Sequence, residues 1–115
     1  MDGAVEYGGQ NKGPRPMELM LIGMGGCTAF DVVQILRKSR QEISDCSAQI
    51  VAQRAPADPK VFTQIHVHFI VSGRKLDAKK VQHAIELSAT KYCSASIMLA
   101  KTAEITHDFE IVEVT

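Results

Sequence analysis

From Leu19 to Phe30 the chain carries no charge, and apolar residues fall on every side of a helix drawn through it. That pattern predicts a long helix over Met17–Lys38, buried all round in its first half. Pro16 suits the first turn, Glu18 favours the positive end of the helix dipole, and Arg37, Lys38 and Arg40 gather at the negative end. In the second half the apolar positions become one-sided, with Phe30, Val33 and Leu36 predicted inward. Gly23, Gly25 and Gly26 interrupt the helix, each costing about 1 kcal/mol relative to alanine. The offset is expected from very close approach by another helix, or from access of a small reactant to the neighbouring Cys27.

Downstream the period changes from helical to alternating. Over Ser44–Ala55, Cys46, Ala48, Ile50 and Ala52 alternate with Ser47, Gln49 and Gln53, which predicts a strand with one buried face. Pro56–Lys60 supplies the turn, and Val61, Thr63, Ile65, Val67, Phe69 and Val71 then alternate with Gln64, His66 and His68 in the clearest strand of the chain. Asp77 predicts the N-cap of a second helix, with Val81, Ala84, Ile85, Ser88, Ala89 and Tyr92 at core spacing. A short helix over Ala95–Thr102, capped by Ser94, leads to a last strand over Ala103–Val114 with Ile105, His107, Phe109 and Ile111 on one face. In the glycine-rich opening Met1–Gly13, only Ala4–Tyr7 reads as a strand. After it the order αββααβ predicts an α+β fold with antiparallel strands and helices on one side.

Composition narrows the function classes. A chain of 115 residues suits one domain with an ordinary core. With 45% apolar residues and a formal charge of zero, it has neither the composition of a disordered segment nor a field that gathers nucleic acid. The uncharged runs fall short of the roughly 20 residues that span a bilayer, and no basic-then-apolar leader opens the sequence, so no membrane association and a cytoplasmic location are expected. Three cysteines cannot all pair within the chain, and none has the Cys-x-x-Cys spacing of a zinc or thioredoxin-like motif.

The candidate chemistry lies in two of those cysteines. Cys27 sits in Gly-Met-Gly-Gly-Cys-Thr-Ala-Phe-Asp, in mid-helix apolar surroundings that raise a thiol's pKa. Cys93 sits in Lys-Tyr-Cys-Ser-Ala-Ser, near the start of the short helix and two positions from Lys91, surroundings that favour a thiolate. Two readings stand side by side: a reactive pair, in which one thiol attacks and the other resolves, or buried cysteines that fill space. Cys46, on the apolar strand face, reads as a core cysteine. His66 and His68 share a strand face, but in sequence no carboxylate or cysteine flanks them as the third ligand that zinc requires. No metal and no cofactor are expected. His83 and His107 read as structural, and Asp31, one turn after Cys27, as a surface carboxylate with a conceivable role in orienting a thiol.

The stretch Pro16–Val33, containing Gly-Met-Gly-Gly-Cys27-Thr-Ala-Phe-Asp, followed far downstream by Lys91-Tyr-Cys93-Ser, resembles the OsmC/Ohr family, and most closely its small OsmC-like subgroup. The resemblance extends from Gly13 onward over a single OsmC-like domain, residues 1–115. It implies an intertwined homodimer with the two long helices packed centrally. It also implies a thiol-dependent reductase of organic hydroperoxides, regenerated by an external dithiol, with Cys27 peroxidatic and Cys93 resolving. The peroxidases of that family pair a glutamate near the start of the central helix with an arginine from N-terminal strands. At the glutamate's position this chain has Met17; Glu18 comes one residue later, about 180° from Cys27 on an ideal helix. The N-terminal hairpin usual in the family precedes the segment equivalent to Met1, so Arg15 and Arg54 are the substitutes the sequence offers for its arginine. The alternative is a non-catalytic dimer of the same fold that binds a small apolar ligand.

Overall fold

The computed structural model describes residues 1–115. Helix α1 (Pro16–Lys38) is followed by strands β1 (Glu42–Arg54) and β2 (Phe62–Arg74), helices α2 (Ala78–Leu87) and α3 (Ser94–Leu99), and strand β3 (Glu104–Glu113). The predicted α+β order is therefore the observed one. Two details of the opening and the sheet differ from expectation. Val5–Tyr7 forms a single 3-10 turn instead of a strand, closed by Gly8 at φ 90° and by the Asp2 carboxylate, which accepts from the amides of Gly3, Gln10 and Lys12. The three-stranded sheet is mixed: β1 pairs antiparallel with β2, but β3 pairs parallel with β2, placing His68 opposite Asp108 and Phe69 opposite Phe109. A hairpin joins the first pair. The second is joined through α2 and α3, and a helical crossover returns the chain in the same direction.

Strand alternation behaves as the sequence predicts. Ile65, Val67, Phe69 and Val71 are buried on the inner face of β2, between inward Ala48 and Ile50 of β1 and inward Ile105, His107 and Phe109 of β3. Helix α1 covers this face with Met24, Thr28, Val32 and Leu36, one residue per turn, all at most 1% exposed. Gly25 makes the contact close: a Cβ there would stand 2.9 Å from Cδ1 of Ile50. The close neighbour is thus a strand, where another helix was expected, and Gly23 and Gly26 meet nothing within 4 Å.

The helix is not buried all round within one chain. Met20 is 49% exposed, Ile22 58% and Phe30, predicted inward, 65%. Phe30 is apolar but belongs to the face turned away from the sheet. By length and composition α1 is also long and apolar enough to cross a membrane, although its charge-free run is shorter than a span. Its stripe against the sheet is that of a core helix.

Candidate active site

Cys27 is carried on the half-buried flank of α1, one position before the inward Thr28. Cys93 arrives from the other side by an irregular route. After α2 the chain widens into a single π turn over Ser88–Tyr92, in which the Cys93 amide donates to the Ser88 carbonyl at 2.8 Å. Cys93 then becomes the N-cap of α3, the place expected for Ser94, and its sulfur accepts from the Ser96 amide at 3.4 Å and from Ser96 Oγ at 3.1 Å. The wide turn rotates Tyr92, predicted to be a core residue, out to 52% exposure, and Cys93 is fully buried. π turns of this kind occur frequently at functional sites.

These two elements bring Cys27 Sγ, Cys93 Sγ and a carboxylate oxygen of Asp31 within 4.8 Å of one another. All three cysteines of the chain are free thiols. Asp31 is therefore no ordinary surface carboxylate. It is half-buried, and its Oδ2 accepts from Ser88 Oγ at 3.1 Å, while that hydroxyl lies 2.7 Å from Thr28 Oγ1. Thr28, Ser88 and Asp31 form a hydrogen-bonded chain that fixes the carboxylate beside the sulfurs. Burial pushes the Cys93 thiol up from its ordinary pKa; the bonds from Ser96 pull the other way, and the neighbouring Cys27 adds to the rise. Lys91, the cation expected to help, instead lies over the Tyr92 ring, 5.3 Å from its centroid.

Arg15 and Glu18 are not brought to the thiols within one chain. Glu18 Oε1 accepts from the Arg15 amide at 2.7 Å, the Arg15 side chain donates to Asn11 Oδ1 at 2.6 Å, and the two sit at the start of α1 with Glu18 exposed and Arg15 half-buried. Along the helix axis Glu18 stands about 14 Å from Cys27. Arg54 is held at the hairpin end, donating from Nε to the Lys60 carbonyl at 2.8 Å. Cys46 is half-buried in the groove between α1 and β1, and burial, with the Asp45 charge second, pushes its thiol up to about 11. Both causes disfavour the Cys46 thiolate, the form in which a cysteine attacks.

On the outer face of the sheet, parallel pairing supplies His66 and His68 with the carboxylates their own strand lacks. Asp108 Oδ1 lies 3.0 Å from His66 Nε2 and 2.7 Å from His68 Nδ1, and Glu110 Oε1 lies 3.3 Å from His68 Nε2. Hydrogen bonds to Asp108 and then Glu110 raise the His68 pKa, and the bond to His68 is the main cause that lowers Asp108. A raised histidine pKa stabilises the fold fully below the unfolded value near 6.5, and that contribution is lost as pH climbs through the folded value. His68→Gln is therefore expected to flatten the decline of stability with pH from about 6.5 upward, read by urea unfolding at a series of pH values. His107 faces inward as predicted, stacked on Phe69 with ring centroids 6.1 Å apart, and burial lowers its pKa.

The family model described as OsmC-like protein matches residues 9–108. Protein YhfA of Escherichia coli K12 is 48% identical over 102 residues, covering 89% of this chain and 76% of YhfA. A crystal structure of a hypothetical protein from Aquifex aeolicus VF5 is 32% identical, with a TM-score of 0.85 over 93% of this chain and 80% of that one. A Legionella pneumophila structure titled organic hydroperoxide resistance protein OsmC superposes with a TM-score of 0.74 at 14% identity, over 96% and 79% of the two chains, and so shares the fold. The match to the family model over most of the sequence, with nearly half of the residues identical to YhfA, shows that the chain belongs to the OsmC-like protein family.

Proposed function

We propose that this protein is a dimeric, dithiol-dependent reductase of organic hydroperoxides, with Cys27 as the attacking thiol and Cys93 as the resolving one. The observation that carries the reading is the meeting of the two sulfurs, from α1 and from the turn before α3, within 4.8 Å in a half-buried site. Structural neighbours named organic hydroperoxide resistance proteins lend the substrate class.

In the reaction the Cys27 thiolate attacks the outer peroxide oxygen, the O–O bond breaks, the alcohol leaves with a proton, and Cys27 becomes a sulfenic acid. The Cys93 thiolate then attacks the Cys27 sulfur, hydroxide departs as water, and a disulfide closes the oxidised state. A dithiol of external origin returns both thiols. Asp31 supports the reading as a proton acceptor beside Cys27, while its charge opposes a standing thiolate. A cation is therefore needed. Arg15 of a second copy is our candidate for it, with Glu18 as the partner that orients it.

The second copy is motivated by the uncovered face of α1, where Met20, Ile22 and Phe30 surround the open positions of Gly23 and Gly26. A stripe of small residues between large apolar ones lets two helices approach closely. Phe30→Asp is expected to convert a dimer to a monomer in light scattering, with little change in the fold of each chain, since Phe30 contributes little to the intrachain core. Wild-type protein that scatters as a monomer at micromolar concentration would remove dimerisation from the reading.

The test of the chemistry is thiol counting on the reduced protein after one equivalent of cumene hydroperoxide. Loss of two thiols per chain is the expected result; no loss ends the catalytic reading. The non-catalytic alternative has one observation in its favour, the groove lined by Leu21, Ile22, Gly25, Ala48 and Ile50. It predicts that Cys27 and Cys93 resist a small alkylating reagent until the protein unfolds.

A further inference from the structure

We infer that Cys27, Cys93 and Asp31 also form a binding site for a divalent thiolate-seeking ion of the zinc type, which holds the pair reduced and out of reach of peroxide. Two sulfurs and one carboxylate oxygen are a three-ligand set suited to tetrahedral Zn2+, leaving the fourth position for water. With Zn–S near 2.3 Å and Zn–O near 2.1 Å, tetrahedral donors stand about 3.6–3.8 Å apart. The three atoms already lie within 4.8 Å, so closing on an ion takes movements of about 1 Å or less from each side chain.

The surroundings are also those of a metal site. Metal-bound carboxylates and thiolates are ordinarily held by further hydrogen bonds that fix their direction. Asp31 has its Oδ2 engaged by Ser88, which Thr28 holds in turn, so the carboxylate is fixed in direction beside the sulfurs. Cys93 Sγ accepts two hydrogen bonds from Ser96, which support a thiolate. A cleft of about 390 Å3 bordered by Asp31, His83 and Tyr92 reaches the carboxylate from solvent. The negative charge of Asp31, unhelpful to a free thiolate, is what a dication requires.

Binding releases the two thiol protons to the buffer and leaves both sulfurs as thiolates on the ion. No electrons move. The bound Cys27 is no longer free to attack peroxide, and the disulfide form has no thiolates to offer. Binding stands apart from the peroxidase reading; the block on turnover rests on it.

Titration of the reduced 115-residue chain with Co2+ alone tests the site. One ion per chain is expected, with thiolate-to-cobalt charge-transfer absorption in the near ultraviolet, displaced by one equivalent of Zn2+. Cys93→Ser should remove about half of that band, and Ser88→Ala should weaken binding about 10-fold by freeing the carboxylate. The double variant His66→Gln with His68→Gln should bind as wild type. Because Cys93 is buried and its serine variant is at risk of misfolding, diamide-oxidised wild type serves as a second arm and should bind no cobalt. Cobalt binding to wild type without the charge-transfer band overturns the inference. So does binding that survives oxidation, or that vanishes in the double histidine variant while persisting in Cys93→Ser. Stoichiometric Zn2+ should also slow peroxide-dependent thiol loss at least 10-fold, reversed by EDTA. A cobalt site in a protein that never consumes peroxide would sink the peroxidase reading and leave the metal site standing.

Discussion

Cys27→Ser is expected to reduce turnover of organic hydroperoxide with a dithiol to background, while Cys93→Ser is expected to permit a single oxidation and then stall. The asymmetry follows from the proposed roles, because a serine hydroxyl is no nucleophile towards peroxide at neutral pH, whereas loss of the resolving thiol leaves the first step intact. In Cys93→Ser the sulfenic acid at Cys27 should persist long enough for trapping by dimedone and detection by mass. Equal retention of activity in both variants would remove the pair from the chemistry. Cys46 makes an internal control: with its thiol pushed up to about 11, Cys46→Ser should leave turnover unchanged.

The largest effect on stability is expected at Phe69, the largest fully buried side chain, on the central strand and stacked against His107. Phe69→Ala removes a ring from a close-packed interior and leaves a cavity that strands cannot readily collapse, a loss of about 3–5 kcal/mol. Total stabilities are about 5–15 kcal/mol, so this variant sits near the edge of folding. At equal protein concentration the midpoint should fall by about 12–20 °C in calorimetry. A fall of only a few degrees would show that the core is not organised around β2.

Much of this arrangement is legible along the chain. The inner face of β2 follows from simple alternation, and Asp77 caps α2 as its side chain requires, accepting from the Lys79 amide at 2.9 Å. Phe30 shows where the pattern stops informing. Apolar residues that face the chain's own sheet and those that face outward have the same hydropathy, so the first half of the helix read as buried all round and Phe30, just beyond it, as inward. The parallel pairing of β3 escaped because alternation within a strand does not name its neighbour. The helical crossover between β2 and β3 was the available signal. With it, Asp108 would have been set opposite His68 and beside His66. The link from Asp31 to Ser88 had no such signal: it depends on the π turn and on how α2 docks against α1.

Arg15 and Glu18 mark the step from sequence likeness to geometry. Within one chain they cap α1 and stay apart from the thiols, and the charge that does stand beside the sulfurs is negative. In the proposed reading the thiolate depends on what a second copy contributes, and the same carboxylate is the ligand that the inferred dication would take.

The most direct measurement is a peptide map of the wild-type protein, digested without reductant after one equivalent of cumene hydroperoxide and read by mass spectrometry. The account predicts one dominant crosslinked product joining the peptides that contain Cys27 and Cys93, with Cys46 still a free thiol. Unmodified peptides throughout, or a disulfide that joins Cys46 to either of the others, would contradict it.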